Sequence, residues 1–319
     1  MRRFDVTLAG LVILDVLGFP VATIPPKGTV DFMESLRLTV AGPAGGTAVD
    51  CAKLGLHTAL VGVIGTDEAG DVVKGLLGRY GVDPRFLKMT DTVATSSSMV
   101  FVSHTGQRPA LHARGASDCL TINDLPESSY AAKVFHMGGT GLLRGMDGMP
   151  TREALSRARK SECITTFDLV GARAEIAPDV MMCLPFVDYF MPSIEEARIL
   201  CGLHNTDDVV EFFLDQGVST CVLTLGEEGV VIQNRSERLF FPAYDVPVVD
   251  TTGCGDAFSA GFILGLVKGF DWELAARFAS ACAALVATGV GSDAGIQSYE
   301  HVWEVMHSWP LRAPKGNIL

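Results

Sequence analysis

Short apolar runs alternate with helical patterns along most of the 319-residue chain, and no other feature narrows the choice of fold as far. The runs at 6–14, 58–64, 133–136, 164–168, 187–190 and 220–225 are compact and apolar on both faces. Between them, 46–54, 68–80, 150–160, 194–201 and 207–216 read as helices. Strands with no polar face, separated by helices, imply a parallel sheet covered on both sides. The pattern predicts an α/β fold: a central, mostly parallel sheet with helices on both faces. In the C-terminal third, 229–233 and 238–242 read as a hairpin, and 257–267, 272–288 and 299–307 as successive helices. Two stretches interrupt the alternation. Residues 16–40 are rich in Pro and Gly and end in a strand-like 35–40; 97–103 and 109–113 read as two joined strands. These segments, about 16–40 and 97–114, predict a small β lid or flap inserted into a single 1–319 domain.

Asp and Glu number 37 against 25 Lys and Arg, a net charge of −12. That argues against a nucleic-acid or anionic-membrane surface, because both need a basic footprint. The eight cysteines form no C-x-x-C pair and no His pair sits beside them at zinc spacing, so they predict buried free thiols in a reducing cytoplasm. Arg2 and Arg3 before an apolar run imitate a secretory leader, but Asp5 and Asp15 bracket that run and no small-residue cleavage site follows. A buried first strand explains it better. A cytoplasmic protein with a small-molecule partner is expected, without nucleic acid or membrane.

Chemistry concentrates in Asp250-Thr-Thr-Gly-Cys-Gly-Asp256. A strand-like 246–249 precedes it and a long apolar helix from Ala257 follows, so Gly253, Cys254 and Gly255 stand where a loop enters a helix N-terminus. Unpaired amides and the positive end of the helix dipole make that an anion site, and glycine lets the backbone come close. Asp256 in the first turn is a favourable N-terminal charge. It is also a carboxylate beside an anion, where a base taking a hydroxyl proton during phosphoryl transfer must stand. No G-x-x-x-x-G-K-[ST] occurs, and Gly139-Thr-Gly141 fails the dinucleotide fingerprint at its third glycine. A nicotinamide dehydrogenase is therefore a distant reading.

These residues resemble the PfkB/ribokinase-like carbohydrate kinases. The 250–261 segment is similar to the family's D-T-x-G-A-G-D signature, with Cys254 where Ala or Ser is usual. Residues 41–55 resemble the N-terminal G-G-x-x-x-N signature, and Gly10 with Asp15 the first-strand G-x-x-x-x-D. Ser193-Ile-Glu-Glu196 is similar to the N-x-x-E segment, Thr224-Leu-Gly226 with Gly229 to the T-L-G-x-x-G turn, and 279–291 to the helix and loop beside adenine. The pieces occur in the family's order from about residue 5 to about residue 305.

The resemblance implies a ribokinase-like fold and ATP-dependent phosphorylation of a primary hydroxyl on a sugar or sugar-like molecule. It implies Asp256 as base and Gly253, Cys254 and Gly255 as the anion hole. Asp15, Gly42, Gly45 and Gly46 would hold the acceptor, and Ser193, Thr224, Gly226, Gly229 and Ser280 the nucleotide. Glu196 would bind Mg2+ through water. Asp250 and Thr252 would flank a monovalent cation such as K+. Three departures affect the acceptor end: Gly46 replaces the signature Asn, Pro43 a Lys carried by some members, and Gly138 falls near an acidic position. A nucleoside acceptor, or a non-catalytic sugar or nucleotide sensor on the same fold, therefore stays open. His104, Arg108, His112 and Arg114 in the flap are candidates to reach the acceptor or the transferred phosphate, Asp168 to line the site, and His136 to be either a site or a core residue. Two exposed β-flaps could cover each other's edges in a homodimer.

Overall fold

The computed structural model describes residues 3–313. In chain order its main elements are β1 Phe4–Gly10, β2 Ile13–Phe19, β3 Ser35–Ala41, α1 Gly45–Lys53, β4 Thr58–Gly65, α2 Glu68–Tyr80, β5 Asp83–Thr90, β6 Ser97–Phe101 and β7 Ala110–Ala113. There follow β8 Ala132–Thr140, α3 Met149–Lys160, β9 Ile164–Leu169, α4 Ala177–Met181, β10 Tyr189–Phe190, α5 Ile194–Cys201, α6 Thr206–Asp215 and β11 Thr220–Thr224. The chain ends with β12 Gly229–Gln233, β13 Arg238–Pro242, α7 Cys254–Lys268, α8 Trp272–Ala287 and α9 Tyr299–Ser308.

The strands build a nine-stranded sheet in the order β13-β12-β11-β10-β9-β8-β1-β4-β5 and a four-stranded sheet β3-β2-β6-β7. In the large sheet every pairing from β11 to β5 is parallel, and only the β11-β12-β13 edge is antiparallel. Alternation along each strand feeds two cores. Val6 and Leu8 of β1 join α1, α7, α8 and α9 on one face, while Ala9 joins α3, α5 and α6 on the other. All eight residues of β4 are buried, the signature of a strand covered on both faces. The expected α/β architecture with a small second sheet is what the chain forms. All eight cysteines are free, as expected, but only five are buried; Cys119, Cys201 and Cys254 are half-buried. Among the described residues no helix is long and apolar enough to cross a membrane.

Three local expectations fail for identifiable reasons. The run 6–14 is not one strand. At Gly10 (φ +140°) the chain leaves the large sheet, Leu11 N–H donates to Gly138 O at 3.0 Å, and from Ile13 it belongs to the small sheet. Both halves are apolar and buried, so hydrophobicity carried no sign of the break. Residues 246–249 form no strand; Val249 N–H instead donates to Ala287 O at the end of α8. Strand β5 was missed because it lies at a half-exposed edge and carries Pro84.

Candidate active site

A cavity of about 880 Å³ opens between the small sheet, the C-terminal ends of β9 and β11, and the N-terminus of α7. The ends of parallel strands leave their carboxyl edges uncovered, and clefts form there. A space of this size accommodates a nucleotide together with a small acceptor.

Helix α7 begins at Cys254 after Gly253, which holds φ +80°. A Cβ at Gly253 would lie 2.4 Å from Ser292 Cα, so glycine is needed for both conformation and space. The loop is fixed from behind by Asp250. One of its carboxylate oxygens accepts from Thr252 N (2.9 Å) and Thr252 Oγ1 (2.7 Å), the other from Gly291 N (2.9 Å). Ser292 continues the chain of contacts, donating to Val40 O at 3.1 Å. Cys254 N–H turns back to Thr251 O at 3.3 Å, and Ala257 donates to Gly253 O at 2.9 Å. Gly255 and Asp256 thus lie in the turn whose amides have no acceptor within the helix. Burial pushes the Cys254 thiol up to about 12, so it is a neutral, unreactive wall.

Asp256 faces the cavity from this first turn. Burial, and then the charge of Asp15, push its carboxyl up to about 7, against a lowering by Arg108. Asp15 is not at a strand end as the sequence suggested. It lies within β2, in register with Thr39 on one side and Ser98 on the other. It is pushed up to about 6, mainly by burial, while the Ser98 hydroxyl stabilises its charged form. Ser98 Oγ is in turn 3.1 Å from His112 Nδ1, so one cross-strand row carries polar groups across the inner face of the small sheet. Asp168, next to last in β9, is a third carboxyl. Burial and the charges of Glu196 and Asp256 hold it well above the carboxylate range, and Ser259 Oγ lies 3.3 Å from it.

At the other end, Ser193 caps α5. Its Oγ accepts from Glu196 N (3.2 Å), while Glu196 Oε2 accepts from Ser193 N (3.2 Å) and Oγ (2.9 Å). Glu196 therefore keeps one carboxylate oxygen for the cavity. Ser193 bridges to Thr224 at the end of β11, and Gly226 (φ +58°) and Gly229 (φ +123°) shape the turn beyond it. Ser280 contributes from α8.

The structure brings Asp15, Gly42, Ser193, Glu196, Thr224, Gly226, Gly229, Thr252, Gly253, Cys254, Gly255, Asp256 and Ser280 to this one cavity. It does not bring Gly45, Gly46 or Asp250 to the surface of the cavity. Gly45 packs on Val12 and Val40, Gly46 lies directly behind the Asp256 carboxylate, and Asp250 serves the loop. Of the flap candidates, Arg108 and His112 line the cavity, whereas Arg114 pairs with Asp118 and His104 packs on Phe19. His136 is a satisfied core residue, 2.9 Å from Thr166 Oγ1 and 3.0 Å from Pro43 O, pushed down to about 4 by burial. Sequence reasoning missed Ser98, Ser259 and Arg312. The period-two alternation of β6, which puts Ser98 on the face opposite Met99, was the available signal for the first.

Among the described residues no cluster of three or more His, Cys, Asp and Glu side chains is placed to hold a metal ion. The donor that exists, one free oxygen of Glu196, suits an ion held through water and by the phosphates rather than by the protein alone.

Residues 4–298 match the pfkB family carbohydrate kinases. The chain is 24% identical over 310 residues to ribokinase from Haemophilus influenzae, covering 95% of this chain and 99% of that one. It is 27% identical over 268 residues to aminoimidazole riboside kinase from Salmonella typhimurium, covering 79% and 82%. Among solved structures, Arabidopsis thaliana ribokinase complexed with ribose and ATP superposes with a TM-score of 0.81 at 21% identity, covering 95% of this chain and 98% of that one. The fold, the order of motifs along it and the family match agree: this chain belongs to the pfkB family of carbohydrate kinases.

Proposed function

We propose that the protein transfers the γ-phosphoryl group of ATP to a primary hydroxyl of a sugar or sugar-like molecule, with Asp256 as general base. The observation that carries this is Asp256 itself: a half-buried carboxyl pushed up to about 7 in the first turn of a glycine-led helix, opening on a cavity shared with Asp15. A base poised near the working pH accepts a hydroxyl proton efficiently. The acceptor lies against Asp15 and Ser98 on the small sheet, its hydroxyl directed at Asp256. As the acceptor oxygen attacks phosphorus, its proton passes to Asp256, and the electron pair of the breaking bond stays on the leaving ADP. The amides of Gly255 and Asp256 and the dipole of α7 meet the charge on the phosphoryl in flight. Thr224, Gly226, Gly229 and Ser280 line the nucleotide end. Glu196 would hold Mg2+ through water beside the phosphates, where the ion would neutralise negative charge; an Escherichia coli structure provisionally assigned as a ribokinase II holds ATP and Mg2+ on this fold. Thr252 and the loop fixed by Asp250 are the place for a monovalent cation such as K+. The small sheet acts as a lid that excludes water.

A nucleoside acceptor is the second reading. It is favoured by the absence of a side chain at Gly42 and by the apolar wall of Ile13, Leu142, Leu169 and Val170, which suits a flat base. The outer face of the small sheet supports a homodimer: Leu38, Val16, Met99 and Leu111 form one cross-strand row, and Leu38, Met99 and Leu111 are exposed. ADP release with Mg·ATP across pentoses, hexoses, sugar acids and nucleosides tests the function. Acceptor-dependent release supports it and names the class. Binding of sugar or ATP without release across the whole panel would convert the reading to a sensor.

A further inference from the structure

The loop joining β6 to β7 brings Arg108 to the cavity and rests on the segment before α7: Gly106 lies near Val249 O, and Arg108 Nε donates to Thr251 Oγ1 at 2.8 Å. Arg108 therefore spans from the lid to the loop that leads into the anion site. Only its Nε is engaged. Among the described residues the two terminal guanidinium nitrogens make no hydrogen bond and no ion pair, although the charge acts on Asp15, Cys254 and Asp256. The other arginine lining the cavity, Arg312, is taken up by Glu227 and by Asp245 at 3.3 Å. Asp15, Glu196 and Asp256 share the same cavity, beside an Asp168 whose proton is held by burial. A phosphoryl group brought among them meets repulsion, and the unpaired fork of Arg108 is the protein cation placed to offset it.

We propose that Arg108 is a catalytic residue that binds the phosphoryl group in flight with its two terminal nitrogens, so that seating of the lid on Thr251 completes the site. This rests on the kinase reading above. In the step, the bond from phosphorus to the β-phosphate oxygen breaks, the bond to the acceptor oxygen forms, and the acceptor proton goes to Asp256. Arg108 donates hydrogen bonds to the equatorial oxygens and exchanges no proton. The planar fork matches two phosphoryl oxygens, which Lys cannot reproduce. An arginine that acts at this point is worth roughly 10³-fold or more in turnover.

The test has two parts. In the first, calorimetry measures binding of Mg·ADP to wild type and Arg108→Ala, with and without aluminium fluoride as the phosphoryl mimic. Fluoride should tighten binding in the wild type, and Arg108→Ala should lose at least about tenfold of that gain while binding ADP alone normally. Equal tightening in both proteins, or none in the wild type, overturns the proposal. A wild type that binds no ADP overturns the nucleotide reading as well, which keeps the two failures distinct. In the second, with the acceptor the wild type uses, Arg108→Ala should lower kcat by about 10³-fold or more. Acceptor KM should change less than about threefold, Arg108→Lys should recover little, and added guanidinium should restore part of kcat. A raised acceptor KM at unchanged kcat would assign Arg108 to acceptor binding and refute a role in transfer.

Discussion

Gly46 is where a single methyl group should separate stability from activity. A Cβ built there lies 2.7 Å from Asp256 Oδ2 and 3.3 Å from its Cγ, while ordinary contact begins at 3.4 Å. Helix α1 has little freedom to retreat, because Gly46 N–H is bonded to Gly42 O at 2.8 Å and a Cβ on Gly45 would already press on Val40 and Val12. The side chain of Asp256 moves instead, by about 0.7 Å, and a misplacement near 1 Å costs up to about 10²-fold in rate. Gly46→Ala should therefore lower kcat by roughly 10- to 100-fold. The same change replaces a helical glycine that has no positive φ, which favours the folded state by up to about 1 kcal/mol. Thermal unfolding should show Tm unchanged or raised by about 1–3 °C. Paired measurement of ADP release and Tm decides. Full kcat in a stable Gly46→Ala protein would refute the seating of the base against α1, and a large loss of Tm would show that the helix rather than the carboxylate gave way.

Two further predictions concern carboxyls that burial pushes up. Asp256 must be ionised to act as base, so kcat/KM should rise about tenfold per pH unit below about 7 and level off above it; Asp15→Asn, by removing a neighbouring charge, should move that break to lower pH. A profile flat from pH 5 to 8, or one unmoved by Asp15→Asn, contradicts the electrostatics. Asp50 on α1 is fully buried, has no hydrogen-bond partner for either oxygen among the described residues, and is raised well above the carboxylate range by burial. The folded state holds that proton more tightly than the unfolded chain, so wild-type stability present near pH 4 is lost as pH rises towards the folded value, by about 1.4 kcal/mol for each tenfold difference in proton affinity. Asp50→Asn should be more stable than wild type at pH 8, with the gap closing near pH 4; a gap independent of pH would show that Asp50 is not protonated in the native state.

Most of the large sheet was legible because its strands are compact apolar runs with no polar face, separated by helical patterns. The glycine-led start of α7 was legible because Gly253 and Gly255 stand where a polar loop gives way to the long apolar run from Ala257. Asp15 was picked out, but its setting was not: the break at Gly10 turns on one backbone angle and a contact with Gly138, both set by tertiary structure. Gly46 was read as an approach to the acceptor, because nothing local shows that Asp256, more than two hundred residues away in the chain, occupies the space its missing side chain leaves. Asp250 was read as flanking a monovalent-cation loop; that it also clasps the loop was not legible, since its partner Gly291 could be found only in three dimensions.

The most direct measurement of the central claim is single-turnover phosphoryl transfer by wild type and Asp256→Asn with Mg·ATP and the accepted sugar or nucleoside. Loss of the proton acceptor at the reacting oxygen should slow the chemical step by about 10²- to 10⁴-fold, while ATP affinity, measured separately, stays within about threefold because the amides that face the phosphates are backbone groups. Transfer at close to the wild-type rate in Asp256→Asn would contradict the account.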